Sequence, residues 1–383
     1  MPDTIPDTGH DLAALLNRPG PWTTVYTDGH GARPQAEEEA RRRAVTDPLR
    51  DAGAPEEDVA AVAAALDGGE GLPSPSVRIL WVQHGEVALD ESFVGSRLGP
   101  EHLAHGPVPP ILPLLRHRTG VVPYLLVETA REGARLSLRE ANRGGDGETS
   151  EIEGRTDSLN KVQAGGWSHR RYQQHSQEIW EQNQAEVAEA VDRIVREQRP
   201  RFVVVAGDVR ARQLLLERLA TASRDLVLEV EVHTKAEGSD DAALERAVAE
   251  AVDSGLDGAI QRTRDRAAEN HGAAGARGVG EVIDALQQAR VDTLLLDARF
   301  VQEGDDGESL AALANEPWVA RGELNDLPAE SLGYVPAAEA LARAAVLSGA
   351  RVLVVEEELE DGEARDGRPA AEPVAALRWA EGG

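Results

Sequence analysis

The chain reads as an α/β protein of three domains, and three observations point there. Apolar runs of strand length, such as 201–206 (RFVVVA), are followed by stretches whose apolar residues recur at helical spacing. Strands alternating with helices build layered α/β folds. The 383 residues are enough for two or three domains of ordinary size. Apolar residues make up 41% and aromatics only 3%, so the cores are expected to be mainly Ala, Val and Leu.

Residues 1–118 are the first expected domain, an N-terminal α/β unit. Residues 11–17 read as a short helix and 22–26 as a strand; 37–66 have helical spacing, broken at Gly53-Ala54-Pro55. Residues 77–82 and 86–93 read as strands joined by a hairpin-like turn at His84-Gly85. The proline-rich 107–113 (PVPPILP) is expected to be an extended, semi-rigid link, or else, over 111–115, an edge of the core.

The second expected domain spans 119–270. Residues 122–129 and 135–140 read as strands and 144–151 (GGDGETSE) as a turn. Then comes Gly165-Gly166-Trp167-Ser168-His169-Arg170-Arg171-Tyr172. Ser168 is a good N-cap, and Tyr172, Ile179, Val187, Val191, Ile194 and Val195 follow at roughly helical spacing. They predict a helix over 168–197, about 45 Å long. The glycine pair is either a plain turn before a capped helix or a flexible tip on a rigid rod. Residues 201–206 form a strand of the kind buried on both faces. Residues 209–219 read as a helix, 226–232 as a strand and 240–268 as a helix.

The third expected domain, 271–383, reads as a small α/β sandwich. It has a glycine cluster at 272–280, helices at 279–288 and 336–347, strands at 291–297 and 351–355, and a closing strand at 374–379. Two acidic stretches lie between these elements: 303–330 at net −7 and 356–368 at net −5, both expected to be solvated loops.

The formal charge of −28 disfavours non-specific binding to nucleic acid. Residues 155–175 run the other way, with Arg155, Lys161, Arg170 and Arg171 against Asp157 alone, a local +3. Lysine occurs only twice, against many arginines, which with the alanine-rich composition reads as a genomic base-composition bias. Cysteine is absent, which excludes disulfides and thiolate chemistry. The first residues show neither the basic nor the apolar region of a signal peptide, and no apolar run approaches ~20 residues. A cytoplasmic protein is expected.

Several motifs invite chemistry. Gly272, Gly275, Gly278 and Gly280 precede a helix, but a helix also leads into them where a dinucleotide fold needs a strand. A hinge and helix start fits better. His102 and His105 have metal-ligand spacing but no evident third ligand, and an exposed polar loop is the plainer reading. No metal or cofactor is expected. G-x-S-x-G and P-loop motifs are absent, so ordinary hydrolase and nucleotidase readings lack support. Trp167, beside two glycines, either folds back on Tyr172 or the domain surface, or stacks on a base or plugs a pocket. In the second case Arg170 and Arg171 would follow phosphates.

With these residues in view, the chain resembles the archaeal and eukaryotic class I peptide-chain release factors and Pelota-related proteins. Gly165-Gly166-Trp167-Ser168, with Arg171-Tyr172 beyond, corresponds to that family's GGQS and following Arg-Phe. Residues 201–219 (RFVVVAGDVRARQLLLERL) match its buried strand, Ala-Gly turn and next helix. Residues 278–296 (GVGEVIDALQQARVDTLLL) look like the opening of its C-terminal domain. The resemblance covers about 120–383 and is nearest to the bacterial branch. That branch includes Balon-type ribosome hibernation factors of actinobacteria and relatives of the ankyrin-repeat zinc-finger peptidyl-tRNA hydrolases. Residues 1–118 show no motif of the eukaryotic decoding domain.

The resemblance implies binding in the ribosomal A site, with the glycine loop near the peptidyl-transferase centre. Lys161, Gly165, Gly166, Trp167, Ser168, His169, Arg170 and Arg171 would meet RNA. It further implies tRNA and a translational GTPase as possible partners, and a monomer. In release factors the glutamine after the two glycines positions water on the peptidyl-tRNA ester; here Trp167 stands in its place. An indole donates one hydrogen bond and accepts none, and loss of one well-placed polar group commonly lowers rates by ~10²–10³. Gln163, Gln173 and Gln174 are the nearby substitutes. Three readings follow: a hibernation factor without strong catalysis, a peptidyl-tRNA hydrolase using one of those glutamines, or a non-catalytic protein-binding module acting through its acidic loops.

Overall fold

The computed structural model describes residues 9–29, 35–67, 72–144, 147–153, 166–230, 241–269, 273–303, 308–322, 329–356 and 372–379. The chain divides into two compact units, one of residues 121–255 and one of residues 1–120 with 256–383. The architecture is mixed α/β.

The chain begins with α1 (Gly9–Leu16), β1 (Trp22–Asp28), α2 (Gln35–Asp51), α3 (Glu56–Asp67), β2 (Ser76–Gln83), β3 (Glu86–Val94) and β4 (His102–Gly106). The four strands form an antiparallel sheet in the order β3-β2-β1-β4. Alternation gives β1 and β2 two working faces. On one, Val25, Leu80 and Val82 pack against Val45 and Leu49 of α2 and Val59 and Val62 of α3. On the other, Trp22 and Trp81 meet edge to face at 6.2 Å. His84 and Gly85 have φ of 54° and 73°, the left-handed pair that lets a two-residue turn follow the strand twist.

Two expectations are corrected here. His102 and His105 are on strand β4, paired with β1, and are half-buried instead of lying in an exposed loop. Three residues apart on a strand, they point to opposite faces and do not converge on one ion. The His105 Nδ1 lies 3.0 Å from the Thr23 hydroxyl, which donates to the buried Asp58 carboxylate at 2.7 Å. The hydroxyl therefore accepts its proton from Nδ1–H. The second correction concerns 107–113 as an extended link; the alternative, a core edge over 111–115, agrees with the burial of Ile111, Leu112, Leu114 and Leu115. The chain turns into α4 (Leu112–Thr119), with Ile111, Leu112 and Leu114 buried. Proline at 113 does not prevent this, because the first helical turn has no use for its missing N–H. The Glu339 carboxylate accepts from the N–H of Ile111 at 2.8 Å and of Leu112 at 3.3 Å, closing the start of the helix.

His117 of α4 sits 7% exposed beneath Phe93, their rings stacked at 5.1 Å. The Tyr26 hydroxyl accepts from Leu98 N–H at 2.7 Å and lies within hydrogen-bond distance of His117 Nε2, at 3.0 Å. Burial, with Arg116 adding to it, pushes the His117 imidazole down to about 4. In the unfolded chain it takes a proton near pH ~6.5. The unfolded state therefore binds the proton first, and stability present above that pH is lost as pH falls toward 4. We expect the His117 ring resonances, followed by NMR, to titrate near pH 4 instead of near ~6.5. A midpoint close to the free value would contradict the buried, neutral assignment.

Residues 121–255 contribute β5 (Pro123–Ala130), β6 (Gly133–Glu140), β7 (Glu148–Glu153), α5 (Gly166–Gln198), β8 (Phe202–Gly207), α6 (Val209–Arg218), α7 (Thr221–Arg224), β9 (Val227–Glu229) and the first part of α8 (Asp241–Ala268). The sheet order is β7-β6-β5-β8-β9, with β5, β8 and β9 parallel and β6 and β7 antiparallel. Residues 202–206 are all buried, as expected of an apolar run with helices on both faces. On one face α5 and α6 bring Val187, Val191, Leu215 and Leu219 onto Leu125, Val127, Val203 and Val205. On the other, Val248 and Val252 of α8 cover Tyr124, Leu126, Phe202 and Val204. The stretch 144–151, expected to be a turn throughout, enters strand β7 at Glu148. There Arg135 reaches Glu151 at 2.9 Å and Ser137 faces Thr149, cross-strand pairs that a reading by hydrophobicity overlooks.

Beyond α8 come β10 (Gly275–Arg277), α9 (Gly278–Gln287), β11 (Val291–Asp297), α10 (Ala298–Glu303), β12 (Ser309–Leu313), β13 (Val319–Ala320), β14 (Ser331–Pro336), α11 (Ala337–Leu347), β15 (Arg351–Val355) and β16 (Val374–Leu377). One sheet has the order β10-β16-β11-β15 and a small second one β13-β12-β14. The acidic stretch 303–330 is thus not a loop throughout. Leu310–Leu313 and Val319–Ala320 are buried strands, with the acids placed around them. The second acidic stretch lies outside the described residues beyond Glu356.

Helix α11 is mostly alanine and almost wholly buried, so its backbone approaches its neighbours closely. Arg343 within it is 2% exposed. Burial pushes its guanidinium down to about 10, so it keeps its charge at neutral pH and donates to Leu313 O at 2.9 Å and Leu16 O at 3.4 Å. The second contact takes up a terminal carbonyl of α1. With Glu339 on α4 and Arg116 Nε on Glu356 at 2.7 Å, it ties the first 120 residues to the last 128.

Candidate nucleic-acid interface

Helix α5 has 33 residues and a length of about 50 Å at ~1.5 Å per residue. It begins at Gly166, two residues before Ser168, so Ser168 is a first-turn residue and not the cap that precedes the helix. Along α5 the side chains are described from Gln177 onward. Lys161, Gln163 and Gly165 lie outside the described residues. Gly166, Trp167, Ser168, His169, Arg170, Arg171, Gln173 and Gln174 follow one another along the first turns of α5, their side chains equally outside the description.

What holds α5 in place is a polar cluster at the C-terminal ends of β5 and β8. Asn183 and Gln184 are 1% and 0% exposed. They stand four and three residues before Val187, on the stripe that faces the sheet. Gln184 Nε2 donates to Ala130 O at 2.8 Å and its Oε1 accepts from the Thr129 hydroxyl at 2.9 Å. Asn183 Nδ2 donates to Arg131 O at 3.3 Å. One turn earlier, Trp180 lies under the Arg131 guanidinium, 4.8 Å from ring centre to Cζ. Arg131 Nε also donates to Asp208 Oδ2 at 3.1 Å.

Asp208 in turn starts α6, its Oδ1 accepting from the N–H of Arg210 at 2.9 Å and of Ala211 at 3.1 Å. Burial raises the Asp208 carboxyl, but the N–H of Ala211, the Arg131 charge and the N–H of Arg210 outweigh it and hold it below the usual carboxylate range. Gly207 lets this close approach happen: its φ is +113°, and a Cβ there would fall 2.0 Å from Thr129 O.

The cluster fixes the rotation and height of α5 on the sheet through two fully buried amides. Replacing Gln184 with leucine leaves the carbonyl of Ala130 and the Thr129 hydroxyl without their partner. Denaturant unfolding should show a loss of about 1–3 kcal/mol, and an unchanged midpoint would remove the anchoring role. None of these residues was picked out in the sequence. Two adjacent amides on a stripe otherwise Val and Ala were the available signal, since a polar side chain at such positions must be hydrogen-bonded.

The electrostatic setting is less hostile to RNA than the whole-chain charge suggests. Residues 121–255 carry 18 Lys and Arg against 25 Asp and Glu, while the rest carries 22 against 43. The unit bearing the glycine pair therefore holds only −7 of the −28. Among the described residues no three His, Asp or Glu side chains gather as a metal site, and no helix is long and apolar enough to cross a membrane.

Residues 123–277 match the model of bacterial archaeo-eukaryotic release factor family 2. Over that segment, less than half of its length, the chain is similar to this release-factor family. The matched segment takes in the sheet of residues 121–255, all of α5 and α6, and α8. Among curated proteins none matches. Among solved structures, the archaeal translation termination factor aRF1 is 16% identical, with 96% of each chain covered and a TM-score of 0.25. Archaeoglobus fulgidus Pelota is 17% identical over 80% of each chain, with a TM-score of 0.38. S. cerevisiae Dom34, described as a translation termination-like factor in RNA quality control that interacts with Hbs1, is 10% identical over 80% of each chain, at 0.39. At TM-scores this low nothing further rests on these likenesses.

Proposed function

We propose that this release-factor-like chain binds the ribosomal A site and acts as a hibernation factor, setting its Gly-Gly-Trp end of α5 near the peptidyl-transferase centre. The observation that carries the reading is the family match over 123–277, which includes the helix opening at Gly166, with tryptophan where release factors have glutamine. Trp167 would fill or stack in the centre, and Lys161, His169, Arg170 and Arg171 would contact ribosomal RNA. An indole in place of an amide leaves nothing at that position to accept a hydrogen bond from water, so occupancy is favoured over hydrolysis. The protein would work in the cytoplasm as a monomer of three domains, with tRNA and a translational GTPase as further partners.

Sedimentation of the purified protein with vacant ribosomes, and with ribosomes holding peptidyl-tRNA, tests this when released peptide is assayed in the same tubes. The expected result is co-sedimentation without release. Release above background that is lost on changing Gln163, Gln173 or Gln174 to alanine would replace this reading with a peptidyl-tRNA hydrolase. Failure to sediment with either would favour a protein-binding role.

A further inference from the structure

We propose that the C-terminal end of α5 is a second contact for an RNA backbone, formed by Arg193, Arg196 and Arg199; the proposal rests on the ribosome reading above. The three side chains are exposed; Arg193 and Arg196 stand three residues apart on one side of α5, and Arg199 follows directly after its last residue. Among the described residues none of the three makes an ion pair, whereas Arg131, Arg135, Arg212 and Arg218 of the same unit each do. The acids of α5 are concentrated earlier, at Glu178, Glu181, Glu186 and Glu189. At the basic end, Asp192 is occupied by the N–H of Ala220 at 3.2 Å, and Glu189 and Glu197 flank the stripe without pairing to it. Residues 193–201 hold Arg193, Arg196, Arg199 and Arg201 against Glu197 alone, a local +3 in a chain of −28.

Arg199 adds a second observation. It is the residue that leaves the helix, its N–H donating to Val195 O at 3.1 Å, and its φ is 50°. That left-handed position is one where glycine is preferred and a side chain is disfavoured. A long cationic side chain at this exposed, left-handed position presents its charge to solvent, open to an anionic partner. Cations in a last helical turn are also favoured by the helix dipole, and that plainer role predicts an effect on stability alone.

From Gly166 to the stripe is 27 to 33 residues of continuous helix, about 40–50 Å. The helix would thus carry cations at both ends and acids between them. A phosphate backbone is the partner favoured by exposed guanidinium groups, which form paired hydrogen bonds to phosphate oxygens. An acidic protein face is the competing partner.

The test uses the full chain with Arg193, Arg196 and Arg199 all changed to serine, and separately all changed to lysine. Binding to vacant ribosomes and to a short RNA duplex is measured from about 50 to about 200 mM salt, with thermal unfolding alongside. The expected result is a loss of about 10-fold or more for the serine variant, with a salt slope shallower by about 2 to 3. Lysine should restore most of it. Should the serine variant not fold, Arg196→Glu alone is expected to weaken both kinds of binding. Wild-type affinity and slope in the serine variant would overturn the inference and leave the ribosome reading standing. Binding to the duplex but not to ribosomes, lost with serine, would keep the RNA contact and end the ribosome reading. No binding of the wild type to either ends both.

Discussion

Changing Arg170 and Arg171 together to alanine is expected to weaken binding to vacant ribosomes by about 10-fold or more, and to flatten the salt dependence by about 2. The chain is acidic overall, so long-range attraction to RNA must come from local excess charge, and residues 155–175 supply a net +3. Two adjacent arginines are half of the cations there. They stand on α5 within five residues of its start, so a loss of affinity does not require a loss of fold. Trp167→Ala should act differently. If the indole fills a site in the peptidyl-transferase centre, its removal should lower affinity without changing the salt slope, because no phosphate contact is lost. Unchanged sedimentation of the double-arginine variant at physiological salt would remove these residues from the interface.

Gly207→Ala is expected to cost about 3 kcal/mol or more in denaturant unfolding. Gly207 ends β8 at φ +113°, and an added methyl would meet the Thr129 carbonyl oxygen at 2.0 Å. That oxygen cannot retreat cheaply, because it accepts from Asp208 N–H at 3.0 Å within the parallel pair of β5 and β8. A shift there would also disturb the Thr129 hydroxyl on Gln184 and the Asp208 cap of α6. Strand end, helix start and the anchor of α5 share this one close approach. A loss below about 1 kcal/mol would mean the backbone relaxes freely there, and the anchor would then be looser than its hydrogen bonds imply.

Much of the fold was legible because periodicity is a strong signal. The run 201–206 and the helical spacing of Ile179 through Val195 locate β8 and α5 to within a few residues. Other elements were hidden by composition. Strand β7 is mostly polar and stabilised by cross-strand pairs, β12 and β13 sit inside an acidic stretch, and α4 is masked by proline. In each case tertiary contacts override local preference. At the start of α4, the N–H groups of Ile111 and Leu112 find their acceptor in Glu339, more than two hundred residues away. The glycine pair is found by motif, whereas the buried amides that anchor its helix are signalled only by their place on an otherwise apolar stripe.

The absence of cysteine lets the position of this helix end on the ribosome be tested directly, because a single Ser168→Cys offers a unique attachment point on the first turn of α5. Iron–EDTA tethered there generates hydroxyl radicals that cut nearby RNA in ribosome complexes. Cleavage concentrated in the ribosomal RNA of the peptidyl-transferase centre is the predicted result. Stable binding with cleavage only at distant sites would contradict the placement of this helix end.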